Sequence, residues 1–274
     1  MTNAIVRQLH PPRSIASHVA EISHGGFIQP KSVQDPGLRT MPPIPLNTQE
    51  TYIVDPTTQE LTLVPHDALV ISLRYPPTRN PTIDFFLQCI PDPARFLTTT
   101  HASIRRILDP SNRLPVRYRG ITLTFSEEDG LADTQGDVIT LSIPWLRSWA
   151  LRNDVQGAAH EFKGVIAHEL VHVLQYDGRG TAAWWFIEGL ADYVRLRVGL
   201  APSHWAGRGA GESWEEGYEA TAHFFGWLDE QRGARGLLVR VNASLACDEW
   251  RDGWFDEGTG LSVGTLWRVY KAQH

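Results

Sequence analysis

A chain of 274 residues with 42% hydrophobic and 20% charged residues has the composition of a globular protein that can bury a sizeable core. Its formal net charge of -6, without any run of lysine or arginine, argues against a nucleic-acid partner. No apolar stretch is long enough to cross a bilayer, so we expect no membrane partner either.

The N-terminal part of the chain differs in composition from the rest. Residues 1–48 are rich in proline and show no sustained hydrophobic period, which predicts an extended arm. Residues 49–274 are predicted to form one domain. The N-terminus lacks the apolar core of a secretory signal peptide, so we expect a cytoplasmic location. Cys89 and Cys247 are expected to be reduced thiols, although the sequence alone also allows one disulfide between them.

Strand patterns dominate the first part of the predicted domain. Three β-rich runs come first, namely TYIVD, ELTLV and ALVISLRY. The segment PARFLTTTHASIRRILDP has apolar residues at helical spacing between two prolines, which predicts a helix. Two further strands are predicted in VRYRGITLTF and GDVITLSIPWL. The turn-rich segment SEEDGLADTQGD joins them.

After residue 144 the pattern becomes helical almost throughout. Strands first and helices second predict an α+β fold, with an N-terminal mixed sheet followed by a mainly helical C-terminal part.

One apolar helix carries a cluster of polar residues. The segment HEFKGVIAHELVHVLQY contains the pattern His-Glu-x-x-His at His168, Glu169 and His172. Residues four apart project from the same face of a helix, so the two imidazoles can bind one metal ion. Glu169 lies beside them, where it can reach a metal-bound water molecule. The alternative is a pair of hydrogen-bonded core histidines next to a surface glutamate.

The next predicted helix, TAAWWFIEGLADYVRLRVG, adds two carboxylates. Glu188 and Asp192 stand four residues apart in an apolar segment, where unpaired carboxylates are costly. Glu188 completes a three-ligand set with an open fourth position, which predicts one Zn²⁺ per chain. Asp192 is placed to accept a ring N–H from a ligand histidine. A salt bridge from Asp192 to Arg195 or Arg197 is the alternative.

Three neighbours of Glu188 bear on the packing around it. Gly189 has no side chain, which predicts a close approach of the two helices. Trp184 and Trp185 are interpreted as core residues or, alternatively, as the wall of a substrate pocket.

These motifs resemble the plant basic secretory protein family of zinc peptidases, which has relatives in fungi and bacteria. The resemblance rests first on HELVHVLQYDGRG and WWFIEGLADYVRLRVGLAPSHW, and it extends over roughly residues 65–274. It implies a zincin-like fold of the gluzincin kind, in which the sheet packs on the active-site helix. Glu188 and Asp192 match the Glu-x-x-x-Asp pattern of gluzincins. Plant members are typically secreted and basic, whereas this chain is acidic.

The resemblance also implies a mechanism. Glu169 would be the general base that activates a zinc-bound water molecule. Tyr218 is our first candidate for the hydrogen-bond donor to the oxyanion and His223 our second, because tyrosine and histidine fill this role in related zincins. The segment DVITLSI, residues 137–143, is predicted to be an edge strand that pairs with an extended peptide, the alternative being an ordinary edge strand.

Three functions fit these residues. The leading one is a zinc-dependent hydrolase of peptide bonds or other amide bonds, so we expect a peptide or small amide substrate. The second is the same chemistry on a small-molecule metabolite, and the third is a non-catalytic binding protein that retains the metal site. Glu169 counts against the third, because a structural site needs ligands but no base. Nothing in the sequence indicates a particular oligomeric state.

Overall fold

The structure is a computed structural model that describes residues 51–54, 61–64 and 69–274. The predicted N-terminal arm, residues 1–48, lies outside the described residues.

Two sheets contain the described strands. One is an antiparallel pair of β1 and β2, and the other has four strands in the order β3-β4-β6-β5. In the second sheet β3, β4 and β6 are parallel, and β5 runs antiparallel to β6. The strands are β1 (Thr51–Val54), β2 (Leu61–Val64), β3 (Val70–Leu73), β4 (Gly120–Ser126), β5 (Ala132–Gln135) and β6 (Val138–Ser142).

Helices account for most of the chain after the sheet. The described residues form nine α-helices and one short 3₁₀-helix at Trp214–Glu216. The α-helices are α1 (Pro81–Cys89), α2 (Pro93–Leu108), α3 (Ile143–Ala150), α4 (Val155–Leu174), α5 (Trp184–Arg197), α6 (Tyr218–Glu230), α7 (Leu237–Ser244), α8 (Trp254–Thr259) and α9 (Val263–Gln273). The predicted α+β class is confirmed, with a small mixed sheet and many helices.

Capping residues determine where the first helices begin. Both α1 and α2 start with a proline, whose fixed φ and missing N–H suit the first helical position. The side chain of Asn80 accepts a hydrogen bond from the backbone N–H of Thr82, and that of Asp92 accepts one from Arg95. The helix predicted from PARFLTTTHASIRRILDP is confirmed, whereas α1 was not predicted.

The segment GDVITLSIPWL contains both a strand and a helix start. Its strand ends at Ser142, whose hydroxyl caps α3 by accepting a hydrogen bond from the backbone N–H of Trp145. Pro144, in the first turn of α3, then favours the helix.

The prediction that residues 137–143 form an edge strand is wrong. Strand β6 is hydrogen-bonded to β4 on one side and to β5 on the other, so it lies inside the sheet. The edge strands are β3 and β5, and β5, the edge next to β6, lies in the segment predicted to be a turn. Its four residues acquire strand geometry from pairing with β6, from Ala132 opposite Leu141 to Gln135 opposite Val138.

Helix α4 is the central element of the fold. It packs against β5 and β6 of the sheet, against α1 and α2, and against α5. Its apolar side chains Phe162, Ile166 and Leu170 are fully buried in the main hydrophobic core. Most of the helix is therefore surrounded by protein, which agrees with the apolar character of its sequence.

Two further features bear on the sequence predictions. Cys89 is buried and Cys247 is exposed, and both are free thiols. Within the described residues, no helix has the length and apolar character that crossing a bilayer requires.

Candidate metal centre

Helix α4 carries the His-Glu-x-x-His pattern. It begins at Val155 rather than at His160, because the side chain of Asp154 caps it by accepting a hydrogen bond from the backbone N–H of Gly157. His168 and His172 lie one turn apart on the face that meets α5. Their rings are 4.7 Å apart and nearly perpendicular.

Glu188 on α5 joins the two histidines. The Nε2 atoms of His168 and His172 are 3.0 Å apart. One carboxylate oxygen of Glu188 lies 3.2 Å from the first of these nitrogens and 3.7 Å from the second. These three atoms are close enough to bind one metal ion together, as the sequence predicted.

Asp192 contacts His168 at the ring nitrogen that is not part of the metal group. The Nδ1 atom of His168 and a carboxylate oxygen of Asp192 are 2.6 Å apart, and both side chains are buried. The alternative partners of Asp192 are engaged elsewhere. Arg195 pairs with Glu161 at 3.1 Å, and Arg197 pairs with Asp229 at 2.9 Å. Asp192 is therefore available to hold the ring of His168 in place.

Glu169 is held by the sheet next to the group of three ligands, close enough for its charge to act on His168 and His172. Its carboxylate accepts a hydrogen bond of 2.7 Å from the hydroxyl of Thr134 on β5. The same hydroxyl lies 3.1 Å from the backbone oxygen of Glu169. Thr134 is a site residue that the sequence prediction missed, because the pattern of its segment indicates a turn. The sequence signal that could have identified Thr134 is the short strand-length segment between Gly130 and Gly136.

Gln175 is the second residue that the sequence prediction missed. Its side-chain amide nitrogen lies 2.7 Å from Nδ1 of His172, and only 2% of its surface is exposed. The amide oxygen is buried without a hydrogen-bond partner. Gln175 follows the last residue of α4 and stands three positions after His172. This spacing places the two side chains on one helix face, and it was the available signal.

Tyr218 lies on the exposed side of the metal group. Its ring stacks at 6.3 Å from the ring of His168, and 45% of the residue is exposed. Burial of the hydroxyl and the negative charges of Glu188, Asp192 and Glu169 raise the pKa of Tyr218 to about 12. The phenol therefore keeps its proton at neutral pH and remains a hydrogen-bond donor.

An unusual backbone turn positions Tyr218. Both Gly217 and Tyr218 have positive φ angles, 71° and 43°. A side chain at Gly217 would lie within 3.0 Å of the ring of Trp184, so the glycine makes room for that ring. Trp184 meets Tyr218 edge to face at 5.4 Å and is 52% exposed. Trp184 thus borders the site, whereas Trp185 packs among aromatic residues of the interior.

His223 lies in different surroundings. Its ring contacts Trp205 at 6.1 Å, and its hydrogen bond is to the backbone of Ala206. Burial lowers the pKa of His223. The structure therefore brings Tyr218, the first candidate for the oxyanion donor, into ring contact with His168, and it places His223 against the loop that precedes α6.

The charges of the group are strongly coupled. Burial alone would lower the pKa of His168, but the charges of Asp192 and Glu169 and the hydrogen bonds to Asp192 and Glu188 raise it well above its ordinary value. Burial and the positive charge of His168 lower the pKa of His172. Burial opposes ionisation of Glu188, yet the two histidines lower its pKa. Because a metal ligand must be deprotonated, a bound cation would displace the proton that these charges hold on His168.

Gly189 allows two helices to approach closely, although not the pair predicted. A Cβ atom at Gly189 would lie 2.3 Å from Cγ2 of Thr221. Thr221 is on α6, so the glycine brings α5 against α6 rather than against α4. The hydroxyl of Thr221 donates to the backbone oxygen of Trp214 at 2.6 Å, which fixes this side chain.

Comparison with known families agrees with this geometry. Residues 68–270 match the model of the BSP family, whose description is "Peptidase of plants and bacteria". The match runs from β3 into α9 and confirms the family that the motifs predicted. No curated protein and no solved structure matches the chain at a significant level.

Proposed function

The chain belongs to the BSP family of plant and bacterial peptidases, and on that basis we propose that it is a zinc-dependent peptidase with a zincin-like catalytic domain. The observation that carries the proposal is the cluster of two imidazole nitrogens and one carboxylate oxygen beside a separate glutamate. His168, His172 and Glu188 would hold one Zn²⁺, and Glu169 would act as the base.

The spacing of the three ligand atoms suits such an ion. Zinc binds nitrogen and oxygen ligands at about 2.0–2.2 Å, and tetrahedral geometry then separates the ligand atoms by roughly 3.3 Å. The three separations in the metal group are 3.0, 3.2 and 3.7 Å. An ion could therefore be accommodated with small movements of the side chains.

The donor set also agrees with a metal site. Asp192 accepts the Nδ1–H of His168, so a metal ion that displaces the second proton of this ring would find the lone pair of Nε2 on the side of Glu188 and His172. Two imidazoles and one carboxylate leave a fourth position for water or substrate, which is typical of hydrolytic zinc sites.

The chemistry follows from what each group supplies. A zinc ion bound at this site would lower the pKa of a water molecule and polarise the substrate carbonyl. Glu169 would remove the proton from the attacking water and deliver it to the leaving amine. Thr134 holds the carboxylate of Glu169 through the hydrogen bond of 2.7 Å, so the base is oriented before substrate arrives.

Tyr218 is the proposed donor to the developing oxyanion. Its raised pKa keeps the hydroxyl protonated, and its ring lies over the ring of His168. A hydroxyl that is already positioned stabilises negative charge without reorganisation during the reaction.

An extended peptide fits the surroundings of the site. Strand β5 is an edge of the four-stranded sheet and contains Thr134, so its outer side borders the proposed base. A peptide chain could add to this edge by backbone hydrogen bonds. Trp184 and Tyr218 offer exposed aromatic surface beside the metal group. Exposed aromatic surface together with an edge strand favours a polymer over a small metabolite, which enzymes usually enclose.

The buried position of Glu169 argues against a binding protein that merely retains the ligands. Glu169 belongs to a hydrogen bond with Thr134 and not to the metal group. A buried carboxylate is costly to keep, and a site that only binds metal has no use for it.

Metal analysis combined with a peptide-cleavage profile tests the proposal. We expect about one zinc per chain, cleavage of peptides in a mixed library, loss of cleavage on chelation and its recovery when zinc is restored. His168→Ala and His172→Ala should largely empty the site. A wild-type protein that carries no metal, or that cleaves peptides equally well after chelation, would contradict it.

A further inference from the structure

Gln175 is the residue that follows helix α4, and its backbone is held on both sides. Its N–H donates to the backbone oxygen of Val171 at 2.7 Å. Its carbonyl oxygen accepts a hydrogen bond from the guanidinium of Arg117. With the main chain fixed and only 2% of the residue exposed, the side chain has little freedom except rotation of its terminal amide.

The ionisable neighbour of that amide is the imidazole of His172. The amide nitrogen lies 2.7 Å from Nδ1, and the amide oxygen is buried without a partner. The other ring nitrogen of His172, Nε2, faces His168 and Glu188. Nε2 is thus the atom that joins the metal group, while Nδ1 faces Gln175.

The group that faces Nδ1 of His172 determines whether Nε2 carries a proton or a lone pair. A neutral imidazole carries its proton on one nitrogen and a lone pair on the other. Nε2 binds a metal only when the proton is on Nδ1, and a protonated Nδ1 needs an acceptor. An amide nitrogen is not an acceptor, but the amide oxygen of the same side chain is.

We propose that Gln175 is the positioning residue that selects the metal-binding tautomer of His172, by accepting the Nδ1–H of His172 on its side-chain amide oxygen. This inference rests on the proposed metal site. It requires the amide to turn by half a rotation about its last bond, relative to the orientation in the structure. The oxygen that is buried without a partner would then gain one.

The two histidines are consequently supported by different chemistry. His168 faces the carboxylate of Asp192, which can only accept a hydrogen bond. His172 faces an amide, which can donate or accept according to its orientation. An amide nitrogen that donates to Nδ1 corresponds to a proton of His172 on Nε2. Metal binding at Nε2 therefore requires the opposite tautomer and the opposite orientation of the amide.

Zinc affinity, measured by titration against a competing chelator, tests the role of Gln175. Gln175→Met keeps the size of the side chain but removes the acceptor, and it should weaken binding by roughly 10–100-fold, as losses behind a metal ligand do. Gln175→Glu always presents an acceptor, so it should bind zinc at least as tightly as the wild type. Asn242→Leu is the matched control. Asn242 is a fully buried amide that bonds the adjacent Tyr176 backbone rather than His172.

The tautomer itself can be observed by ¹⁵N NMR of the proteins after chelation. We expect the proton of His172 on Nδ1 in Gln175→Glu, whose carboxylate can only accept, and a smaller share of that tautomer in Gln175→Met, which offers no acceptor. Two results would overturn the role of Gln175 while leaving the metal site intact. One is that Gln175→Met binds zinc as tightly as the wild type, and the other is that Gln175→Glu loses as much zinc affinity as Gln175→Met does. Equal shares of the two tautomers in chelated Gln175→Glu and Gln175→Met would also overturn this role. A wild type that binds no zinc would instead remove the proposed function and this inference with it.

Discussion

The interior and the rim of the metal centre are constructed in opposite ways. The interior consists of side chains from α4 and α5 that face each other, and the rim consists of β5 together with Trp184 and Tyr218. In the interior, His168 and Asp192 are buried and joined at 2.6 Å. On the rim, the two aromatic residues are about half exposed and meet each other edge to face.

We interpret this difference as a division between groups that bind the metal ion and groups that contact the substrate. Buried polar groups in the interior must have partners, so a single change there removes a hydrogen bond or a metal ligand that nothing replaces. Exposed groups on the rim lose little when altered, because water replaces the lost contact. We therefore expect interior substitutions to act on metal binding and rate, whereas on the rim Trp184 should act on substrate affinity and Tyr218, the proposed oxyanion donor, and Thr134, which orients the base, should act on rate.

Glu169→Gln should produce the largest effect on turnover. The amide cannot take a proton from water, so peptide cleavage should fall by roughly 10²–10⁴-fold while zinc remains bound. Cleavage rates and zinc content measured on the same sample test this expectation. Glu161→Gln is a suitable control on the same helix, because Glu161 pairs with Arg195 and should affect stability rather than turnover. Unchanged turnover in Glu169→Gln would remove Glu169 as the base.

Asp192→Asn should weaken zinc binding by roughly 10–100-fold, because the carboxylate that orients His168 loses its charge. The measurement is a zinc titration against a competing chelator, with thermal unfolding recorded in parallel. Asp229→Asn is the control, because it removes the carboxylate that pairs with Arg197. It should lower the thermal stability slightly and leave zinc affinity unchanged. Equal zinc affinity in the two variants would show that Asp192 does not act on the metal site.

Thr134→Val connects the interior to the rim, and its effect should be smaller. Losing one hydrogen bond to a charged carboxylate corresponds to roughly 1.5–3 kcal/mol, or a rate decrease of roughly 10–150-fold. We expect the lower end of this range, about tenfold, because Thr134 orients the base without touching the reacting atoms. The loss should appear in kcat with KM unchanged. Thr134→Ser restores the hydroxyl and should recover most of the rate. Failure of serine to rescue would indicate that the methyl group, and not the hydrogen bond, matters.

Trp184→Ala should give the smallest effect and act mainly on substrate binding. Removing one exposed aromatic surface should weaken peptide binding by roughly 0.5–1.5 kcal/mol, which raises KM. Zinc content should not change, because Trp184 is not a proposed ligand, and KM should change more than kcat, although the ring of Trp184 packs against Tyr218. Trp184→Phe keeps an aromatic face and should behave like the wild type. A fall in kcat instead of a rise in KM would place Trp184 in the interior group.

The interior was predictable from sequence because helical periodicity fixes which side chains share a face. His168 and His172 are four residues apart in α4, and Glu188 and Asp192 are four apart in α5, so spacing alone assigns each pair to one helix face. The contact between α4 and α5 was predictable from chemistry, because the two buried carboxylates of α5 needed partners.

The rim and its supports were less predictable, because they depend on contacts between distant segments. Thr134 lies in a strand whose geometry comes from pairing with β6, and its own sequence resembles a turn. Gln175 was visible three residues after His172, but its importance depends on which ring nitrogen faces it. Strand order is also not accessible from the sequence, which is why the edge position was predicted for residues 137–143 rather than for β5.

The contact of Gly189 with Thr221 has a consequence for how the site responds to temperature. Glycine has no side-chain torsion, and Thr221 has one that its hydrogen bond to Trp214 already fixes. The point at which the helix bearing Glu188 meets the helix bearing Tyr218 through Gly189 therefore contains few bonds that heating can set into rotation, and little conformational entropy is released by loosening this point. Heat inactivation of the zinc-loaded protein is then expected to coincide with cooperative unfolding of the whole domain rather than to precede it.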